Sequence, residues 1–392
     1  MLDIAAIRRE FPALSPTNGA KPRVYLDNAA TKYPPRCVIN AVCGFYEHAR
    51  SPTDAYALYV EARRRIARST GASHPEQVVL CASATHAIHL VAHGWGDANI
   101  GSDDEIVVSS AEHVANFASW QALAQRRGAR LHVIPVDTTG ALPLEALQRT
   151  LSKRTKLVAV AHVSNVTGAV FPVREIVAAA HGVGARVLID GAQAVAHLPI
   201  DFDELDADFY AFSGHKAFAP TGIGILLARQ KSLDEMQPVL LGANAFAAFA
   251  LDECMLAPAP ARFEGGTANI AGAIALAEAL EFVERLDWNE IADHERGLRR
   301  RLDTGLARIK GVSILGSSTD AAICAFVVGG RDSGEIQRRM RDHSIDIRAG
   351  HLSAQTLLRQ FGADSALRVS ATIYNNEDDI DRFLAALAAS VR

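Results

Sequence analysis

The chain has 392 residues, of which 49% are hydrophobic and 21% charged, the balance typical of a globular protein. Forty basic against forty-four acidic side chains give a net charge of −4, which leaves no basic excess for binding nucleic acid. No apolar run approaches the roughly 18 residues that span a bilayer, and residues 1–10 lack a signal-peptide core. Five scattered cysteines without a Cys-x-x-Cys pair argue against disulfides and zinc. We expect a cytoplasmic protein without nucleic-acid or membrane partners.

Short apolar runs alternate with helical patterns between residues 78 and 228. The pattern predicts strands at 78–81, 105–109, 130–136, 157–163, 186–190, 208–212 and 223–228. Helices are predicted between them at 85–98, 114–127 and 173–183. Runs such as LVAVA (157–161) are apolar throughout, as in strands covered on both faces. The alternation predicts an α/β fold with a mostly parallel, helix-covered sheet.

The C-terminal part has a different pattern, which predicts a second, smaller α/β domain. The predicted elements are a long helical stretch at 272–310, a strand at 323–328, a helix at 333–343, strands at 345–348 and 367–371, and a helix from 377. We expect residues 21–270 to form a large cofactor-binding domain and residues 271–392 the small domain. Residues 1–20 are expected to pack with the small domain.

A lysine and an aspartate stand near the ends of two predicted strands. Lys216 lies in SGHK (213–216), and Asp190 ends the buried-looking strand 186–190. The carboxyl ends of parallel strands face the crevice where such sheets bind ligands. Pyridoxal phosphate needs this pair, because a lysine forms its Schiff base and a carboxylate keeps its pyridine nitrogen protonated. Either residue alone could be a solvated lysine or a helix N-cap.

The remaining requirement of this cofactor is a phosphate cradle. SATH (83–86) lies between a strand and a helix, where backbone N–H groups and the helix dipole favour an anion. Ser213 and His215 add donors beside the lysine. Together these features predict a pyridoxal 5′-phosphate site. A dinucleotide site is not expected, because no Gly-x-Gly-x-x-Gly turn follows an early strand.

Eight motifs in chain order extend this pattern over nearly the whole sequence. They are VYLDNAAT (24–31), EHVAN (112–116), HVSNVTG (162–168), DGAQ (190–193), SGHK (213–216), RFEGGT (262–267), RAGH (348–351) and LRVS (367–370). With these eight motifs in this order, the chain resembles the fold-type I, class V aminotransferase family of pyridoxal-phosphate enzymes. Within that family it is similar to the branch of cysteine desulfurases and selenocysteine lyases.

The resemblance implies a role for each residue that matches a motif. Lys216 would form the Schiff base, Asp190 would contact the pyridine nitrogen, and His113 would stack on the cofactor ring and move protons. The other implied contacts are Ala84, Thr85, Ser213 and His215 with the phosphate, Asn165 and Gln193 near the ring hydroxyl, and Arg368, Ser353 and Asn28 with an amino-acid substrate. Thr267 would reach the phosphate from the neighbouring subunit, which implies a homodimer with shared sites.

The family pattern breaks at residue 353. The desulfurases place a nucleophilic cysteine shortly after RAGH, and Ser353 occupies that position here. A thiol with a pKa near ~8.5 yields a thiolate that can take up the substrate sulfur as a persulfide, and a serine hydroxyl cannot. None of the five cysteines lies in this loop, and Cys324 has the pattern of a buried strand residue. We therefore do not expect a persulfide formed by the family's usual route.

Three further departures concern the substrate side. The family's Gly-Thr-Thr-Glu is SATH (83–86), its His-Arg-Gly stretch is replaced by RSPT (50–53), and a Gly-Gly-x-Met-Ile loop is GANAF (242–246). The cofactor motifs are kept while these motifs differ. The combination predicts a working cofactor site with a changed substrate or reaction.

We expect an enzyme that acts on an amino acid through an external aldimine and cleaves a C–S or C–Se bond without a protein persulfide. Elimination is favoured because it needs only a base and a leaving group. Four alternatives stay open: a cysteine desulfurase with Ser353 in place of its catalytic cysteine, a class V aminotransferase, a racemase, and a silent partner protein in sulfur transfer. A sulfur-acceptor protein is a further partner that this chemistry allows.

Overall fold

The computed structural model describes residues 2–15, 23–48 and 51–391. The strands are β1 Val24–Tyr25, β2 Val78–Cys81, β3 Glu105–Ser109, β4 Arg130–Ile134, β5 Thr155–Ala161, β6 Arg186–Asp190, β7 Phe209–Ser213, β8 Gly224–Ala228, β9 Phe246–Phe249, β10 Cys254–Leu256, β11 Val312–Leu315, β12 Ile323–Val328, β13 Ile345–Asp346, β14 Arg348–Gly350 and β15 Ala366–Ser370. The helices are α1 Ile4–Arg9, α2 Arg36–His48, α3 Pro52–Ser69, α4 Ala84–Leu90, α5 Asp97–Asn99, α6 Val114–Arg127, α7 Leu144–Thr150, α8 Val173–Gly182, α9 Phe202–Leu205, α10 Gln230–Asp234, α11 Ile270–Glu284, α12 Trp288–Leu306, α13 Ser333–Asp342, α14 Gln355–Gln360 and α15 Glu377–Ser390. Arg50 of the RSPT stretch lies outside the described residues.

The large sheet has seven strands in the order β2-β8-β7-β6-β5-β3-β4. Neighbours from β7 to β4 run parallel, whereas β8 is antiparallel to both β2 and β7. Every residue of β3, β7 and β8 is buried, as expected for strands covered on both faces. The predicted α/β class with a mostly parallel sheet is confirmed.

The C-terminal region forms a four-stranded antiparallel sheet in the order β11-β12-β15-β14. Its apolar face packs against α12, α13 and α15. The N-terminal segment contacts this region: Arg8 Nη1 lies 2.7 Å from Asp379 Oδ2, and the ring of Phe11 lies 4.7 Å from that of Tyr374. Phe11 also lies 5.9 Å from the Phe218 ring of the large-sheet region. The domain limits at residues 20 and 270 stay predictions.

Two predicted elements of the C-terminal part are each divided in the structure. The stretch 272–310 forms two helices, because the side chain of Asp287 accepts N–H bonds from Asn289 and Glu290 and starts a new helix, α12. The predicted strand 345–348 is divided between two sheets, because β13 pairs with β1 while β14 pairs with β15.

Candidate active site

One cavity of about 580 Å³ lies at the carboxyl ends of β6 and β7. Residues 348–353 and Arg368 contribute another part of its wall. Ten of the thirteen predicted site residues line it, namely Ala84, Thr85, His113, Asn165, Asp190, Ser213, His215, Lys216, Ser353 and Arg368. The fold thus brings together side chains from both sheets that are far apart in the sequence.

Lys216 and Asp190 are opposite charges within this cavity. Asp190 is buried at the end of β6, and the Ala192 N–H donates to its Oδ1 at 3.0 Å. Burial raises the pKa of Asp190, and the charge of Lys216 opposes that rise. Burial lowers the pKa of Lys216, and Asp190 opposes that change. The site therefore holds a buried carboxylate suited to a cationic partner and an amine that loses its proton readily.

The turn after Asp190 packs closely on the ring of Tyr210. A Cβ on Gly191 would lie 2.0 Å from a ring carbon of Tyr210, so no larger residue fits without displacing the ring. The Tyr210 hydroxyl lies 3.0 Å from His162 Nδ1. The backbone N–H of His162 donates to the backbone carbonyl of Asp190 at 2.9 Å. Burial lowers the pKa of His162 to about 4, so this imidazole is neutral at pH 7. These contacts fix the position from which Asp190 faces the cavity.

His113 caps α6 and is anchored through its neighbour Glu112. The His113 Nδ1 accepts the Ala115 N–H at 3.2 Å. Burial lowers the pKa of His113 to about 4, helped by the charges of Lys216 and Arg368, so the ring is a neutral imidazole. Glu112 is buried, accepts the Ser109 hydroxyl at 2.5 Å, and accepts bonds from the Asn116 amide and the Ala161 N–H at 2.6 and 3.0 Å. These bonds fix the turn that presents His113.

The start of α4 lines the cavity, where the positive end of the helix dipole favours an anion. The Ser83 hydroxyl caps the helix by accepting the His86 N–H at 3.2 Å, and the Ser213 hydroxyl accepts the Ala84 N–H at 2.7 Å. Thr85, between them, is exposed and lines the cavity. Gly224 allows this approach, because a Cβ there would lie 2.5 Å from the Ser83 backbone. The arrangement suits a phosphate group.

Arg368 and Arg348 share the carboxylate of Asp27. The Asp27 oxygens lie 3.1 Å from Arg368 Nη2 and 3.0 Å from Arg348 Nη2. Arg368 is buried, its Nη1 donates to the Asn165 carbonyl at 3.0 Å, and its Nε has no partner within the described ranges. A buried guanidinium with an unused N–H beside a cavity is suited to a ligand carboxylate.

Ser353 belongs to a loop that forms part of the cavity wall and is hydrogen-bonded to neighbouring segments. Leu352 and Ser353 both adopt left-handed backbone angles, with φ of 52° and 53°, at a cost of about 1–3 kcal/mol each for non-glycine residues. The Ser353 carbonyl accepts the Val114 N–H at 2.7 Å, and the Leu352 carbonyl accepts the Asn165 amide at 2.9 Å. The buried Leu352 side chain packs in the large core. The loop is therefore a fixed wall of the site.

Three predicted site residues do not line this cavity. Asn28 is fully buried, and its amide donates to the Ser370 carbonyl at 2.6 Å and to Asn375 Oδ1 at 3.1 Å. These bonds tie Asn28 to the C-terminal sheet, and its contact with a substrate stays a prediction. Thr267 lines a separate cavity of about 190 Å³, and Gln193 lies behind the wall, where its Nε2 donates to the Ala29 carbonyl at 2.8 Å.

The residues present fit pyridoxal 5′-phosphate. Two buried polar atoms near the cavity, Gln193 Oε1 and Arg368 Nε, have no partner among the residues that the structure describes. They would accept a hydroxyl and donate to a carboxylate, respectively. Lys216 would bind the aldehyde carbon, Asp190 would face the ring nitrogen, and the start of α4 would hold the phosphate.

The sequence patterns missed the supporting roles of Asp27 and Glu112. Both residues lie in quoted motifs, yet their partners are distant in the sequence: Asp27 pairs with Arg368, and Glu112 accepts the Ala161 N–H. A charged residue next to a predicted catalytic one, in an otherwise apolar stretch, is the signal that could have identified them.

The sequence profile of the family "Aminotransferase class-V" matches residues 24–383. The chain belongs to this family, and its cofactor is pyridoxal 5′-phosphate. It is 42% identical over 99% of its length to a protein of Mycolicibacterium paratuberculosis named "Probable cysteine desulfurase". It is 38% identical over 97% of its length to the cysteine desulfurase of Cronobacter sakazakii, of which it covers 96%. The chain spans 58–64% of the length of three curated relatives, of which the Mycolicibacterium paratuberculosis protein is one.

Solved structures share the fold over their full length. The cysteine desulfurase CsdA of Escherichia coli, in an S-sulfonic acid form, superposes with a TM-score of 0.94 at 32% identity, and the match covers 100% of this chain and 99% of that one. The cystine C–S lyase C-DES, solved with its reaction product cysteine persulfide, gives a TM-score of 0.83 at 26% identity, covering 96% and 99%. Another C-DES structure carries glycine linked to the pyridoxal-phosphate cofactor.

Within residues 2–15, 23–48 and 51–391, none of the helices has the length and apolarity required to cross a bilayer. The same residues contain no cluster of three or more His, Cys, Asp or Glu side chains suited to a metal ion.

Proposed function

We propose that this chain is a pyridoxal-phosphate-dependent lyase that removes sulfur or selenium from an amino acid by elimination. The observation that carries the proposal is the composition of the cavity wall. Lys216, Asp190 and Arg368 share the cavity with Ser353, and none of the residues that line it is a cysteine. The kinship with C-DES, a cystine C–S lyase, supports the same class of reaction.

Each residue has a step that its surroundings favour. Bound pyridoxal phosphate supplies an electron sink that weakens the bonds at the substrate Cα. Arg368 binds the substrate carboxylate, because its buried guanidinium has an N–H to spare. Lys216 takes the Cα proton, because its lowered pKa leaves more of the free amine near neutral pH. The neutral ring of His113, which lines the cavity, would cover the face of the cofactor, and the sulfur would leave the substrate Cβ with the electron pair of the broken C–S bond.

A protein persulfide elsewhere on the chain is disfavoured by the positions of the cysteines. Burial raises the pKa of the thiols of Cys324 and Cys81 to about 12, which leaves almost no thiolate at neutral pH. Cys37, Cys43 and Cys254 do not line the cavity.

The second candidate is a cysteine desulfurase whose sulfur passes directly to an acceptor. The names of the curated relatives favour it. Because Ser353 cannot hold the sulfur, an acceptor protein or small thiol would have to attack the substrate sulfur within the cavity, and alanine would be the product. A class V aminotransferase or a racemase would use the same Lys216 and Asp190 but leave the C–S bond intact.

The test is product analysis of the full-length chain loaded with pyridoxal phosphate. The chain is incubated with L-cysteine, L-cystine or L-selenocysteine, and pyruvate, ammonia, alanine, sulfide and selenide are measured by mass spectrometry and colorimetry. Lys216→Ala is the matched inactive control. Elimination predicts pyruvate and ammonia in equal amounts, with all formation lost in Lys216→Ala.

Other product patterns would each replace the proposal. Alanine in equal amount to the sulfur released would establish the desulfurase. Keto acid with the C–S bond retained would indicate transamination, and D-amino acid would indicate racemisation. A chain that gains no cofactor absorbance on reconstitution would be the silent partner protein.

We infer that the enzyme is a homodimer that shares its sites. Exposed apolar side chains cluster in the stretch 239–255 around the β9–β10 hairpin: Val239, Leu240, Leu241, Phe249, Leu251 and Met255. Leu240 and Thr267 line the same separate cavity, away from Lys216. A second subunit packed on this stretch would bury the apolar surface and could bring Thr267 to a neighbouring cofactor site.

Mixing two inactive variants tests the shared site. Lys216→Ala and Thr267→Ala chains, each inactive alone, should recover up to about a quarter of the activity when mixed, because about half of the dimers are mixed and each mixed dimer contains one intact site of its two. Light scattering should give twice the chain mass. No recovery, or a monomer, would contradict the dimer.

The five free cysteines support a further proposal, a reducing cytoplasmic location, which fractionation of cells would test.

A further inference from the structure

Three buried titratable side chains form a chain of contacts next to the segment that carries Lys216. Lys32 Nζ lies 3.5 Å from His197 Nε2, and His197 Nδ1 lies 2.6 Å from Glu295 Oε2. All three residues are at most 4% exposed. They come from the turn that follows β1, the segment after Asp190, and α12, so the contacts join three separate parts of the fold.

The order of these groups defines their hydrogen bonds. The Glu295 carboxylate accepts the Nδ1–H of His197, which leaves Nε2 as the acceptor for the ammonium of Lys32. Burial lowers the pKa of Lys32 to about 7, the charge of Glu295 opposes this, and the charges of Lys216 and Arg368 add to it. The ring of Phe218 lies 5.8 Å from Lys32 Nζ. Burial of a lysine side chain costs free energy, so we expect Lys32 to have a role beyond packing.

The backbone connects Lys32 to the proposed cofactor lysine. The Lys32 N–H and the Thr31 hydroxyl both donate to the His215 carbonyl, at 2.9 and 3.2 Å, and His215 directly precedes Lys216. Ala29 and Ala30, in the same turn as Lys32, line the cavity. The turn that carries Lys32 therefore contacts the Lys216 segment through its backbone and also forms part of the cavity wall.

We propose that Lys32 is a positioning residue of this active site. His197 and Glu295 hold the Lys32 side chain in place, and the turn 29–32 in turn fixes the segment that carries Lys216. Lys32 also adds positive charge beside that segment. The proposal rests on the proposed cofactor site at Lys216. The charged and titratable groups that face Lys32 are His197, Glu295, His215, Lys216 and Arg368. Removal of one positive charge from this group should favour protonation of the nitrogen that joins Lys216 to the cofactor.

Lys32→Met tests the proposal, because methionine keeps most of the volume and removes the charge. The midpoint of the pH titration of the cofactor absorbance band should rise by about one pH unit. Amide hydrogen exchange of residues 213–217, measured with and without the cofactor, should accelerate about tenfold. Lys310→Met, at an exposed lysine, is the control and should change neither quantity. If Lys32→Met fails to fold, His197→Gln should give the same two changes at smaller size.

The outcomes separate this proposal from the proposed function. Unchanged absorbance midpoint and unchanged exchange in Lys32→Met would overturn the positioning role, even if the variant melts at a lower temperature. Failure of the wild type to bind the cofactor would overturn the proposed function. In that case faster exchange at residues 213–217 in Lys32→Met would still support the positioning of this segment, and unchanged exchange would refute it.

Discussion

Replacement of Asp27 by asparagine should weaken both the fold and substrate binding. Asp27 is the shared carboxylate of Arg368 and Arg348, at 3.1 and 3.0 Å. The Arg368 side chain is 4% exposed, whereas that of Arg348 is 47% exposed. The substitution therefore leaves a buried guanidinium without its counter-ion, while the Arg348 contact is a surface pair of little weight.

The magnitude follows from the burial of the two pairs. Removal of one partner of a buried ion pair typically lowers the free energy of unfolding by about 3–5 kcal/mol. Asparagine keeps an acceptor oxygen, so we expect a loss of about 2–3 kcal/mol for Asp27→Asn. The loosened Arg368 should also raise KM for the amino acid about tenfold, with a smaller effect on kcat.

Denaturant unfolding and steady-state kinetics provide the assay. Asp346→Asn is the matched control, because Asp346 pairs with Arg23, whose side chain is 58% exposed, and Asp346 does not line the cavity. We expect the control to lose less than about 1 kcal/mol and to keep its KM. Equal losses of stability in the two variants, or an unchanged KM in Asp27→Asn, would refute the reasoning.

Three further predictions follow from the packing, burial and exposure of other residues. Gly191→Ala should lower the free energy of unfolding by about 1–3 kcal/mol and weaken cofactor binding, because its Cβ would overlap the Tyr210 ring; thermal melts and absorbance titrations measure both. Burial raises the pKa of Glu112 from 4.5 to about 8, so the folded state holds an extra proton between these values and stability falls as pH rises through this window. In Glu112→Gln the free energy of unfolding, measured with denaturant between pH 4.5 and 8, should depend less on pH than in the wild type. An unchanged pH dependence would contradict the assignment to Glu112. The double variant Cys43→Ser with Cys254→Ser should keep lyase activity within about twofold, because these exposed thiols do not line the site; a complete loss would revive a cysteine-based route.

Several strands of the large sheet could be predicted from sequence because their apolar runs are locally complete. The strands at Val78–Cys81, Glu105–Ser109 and Arg186–Asp190 agree with the prediction at both ends. The β9–β10 hairpin was missed because most of its side chains are exposed and show no alternation with a buried face. Its stability depends on contacts that a local pattern does not contain.

The site residues divide in a similar way. Residues at strand ends and helix starts, such as Asp190 and Thr85, line the cavity, where the topology of a parallel sheet brings them. Asn28 instead bonds to Ser370 and Asn375, which lie more than 300 residues away in the sequence. Whether a buried polar side chain faces a ligand or another part of the chain depends on such distant partners.

The most direct test of the central claim is to follow the sulfur of L-cysteine in the wild type and in Ser353→Cys. The loaded proteins are incubated with substrate without reductant, denatured, and analysed by intact mass spectrometry together with small-molecule products. We predict that the wild type forms pyruvate, ammonia and free sulfide, and that the mass of the protein does not increase by that of a sulfur atom. Alanine as the product, together with a sulfur adduct on any cysteine of the wild type, would contradict elimination.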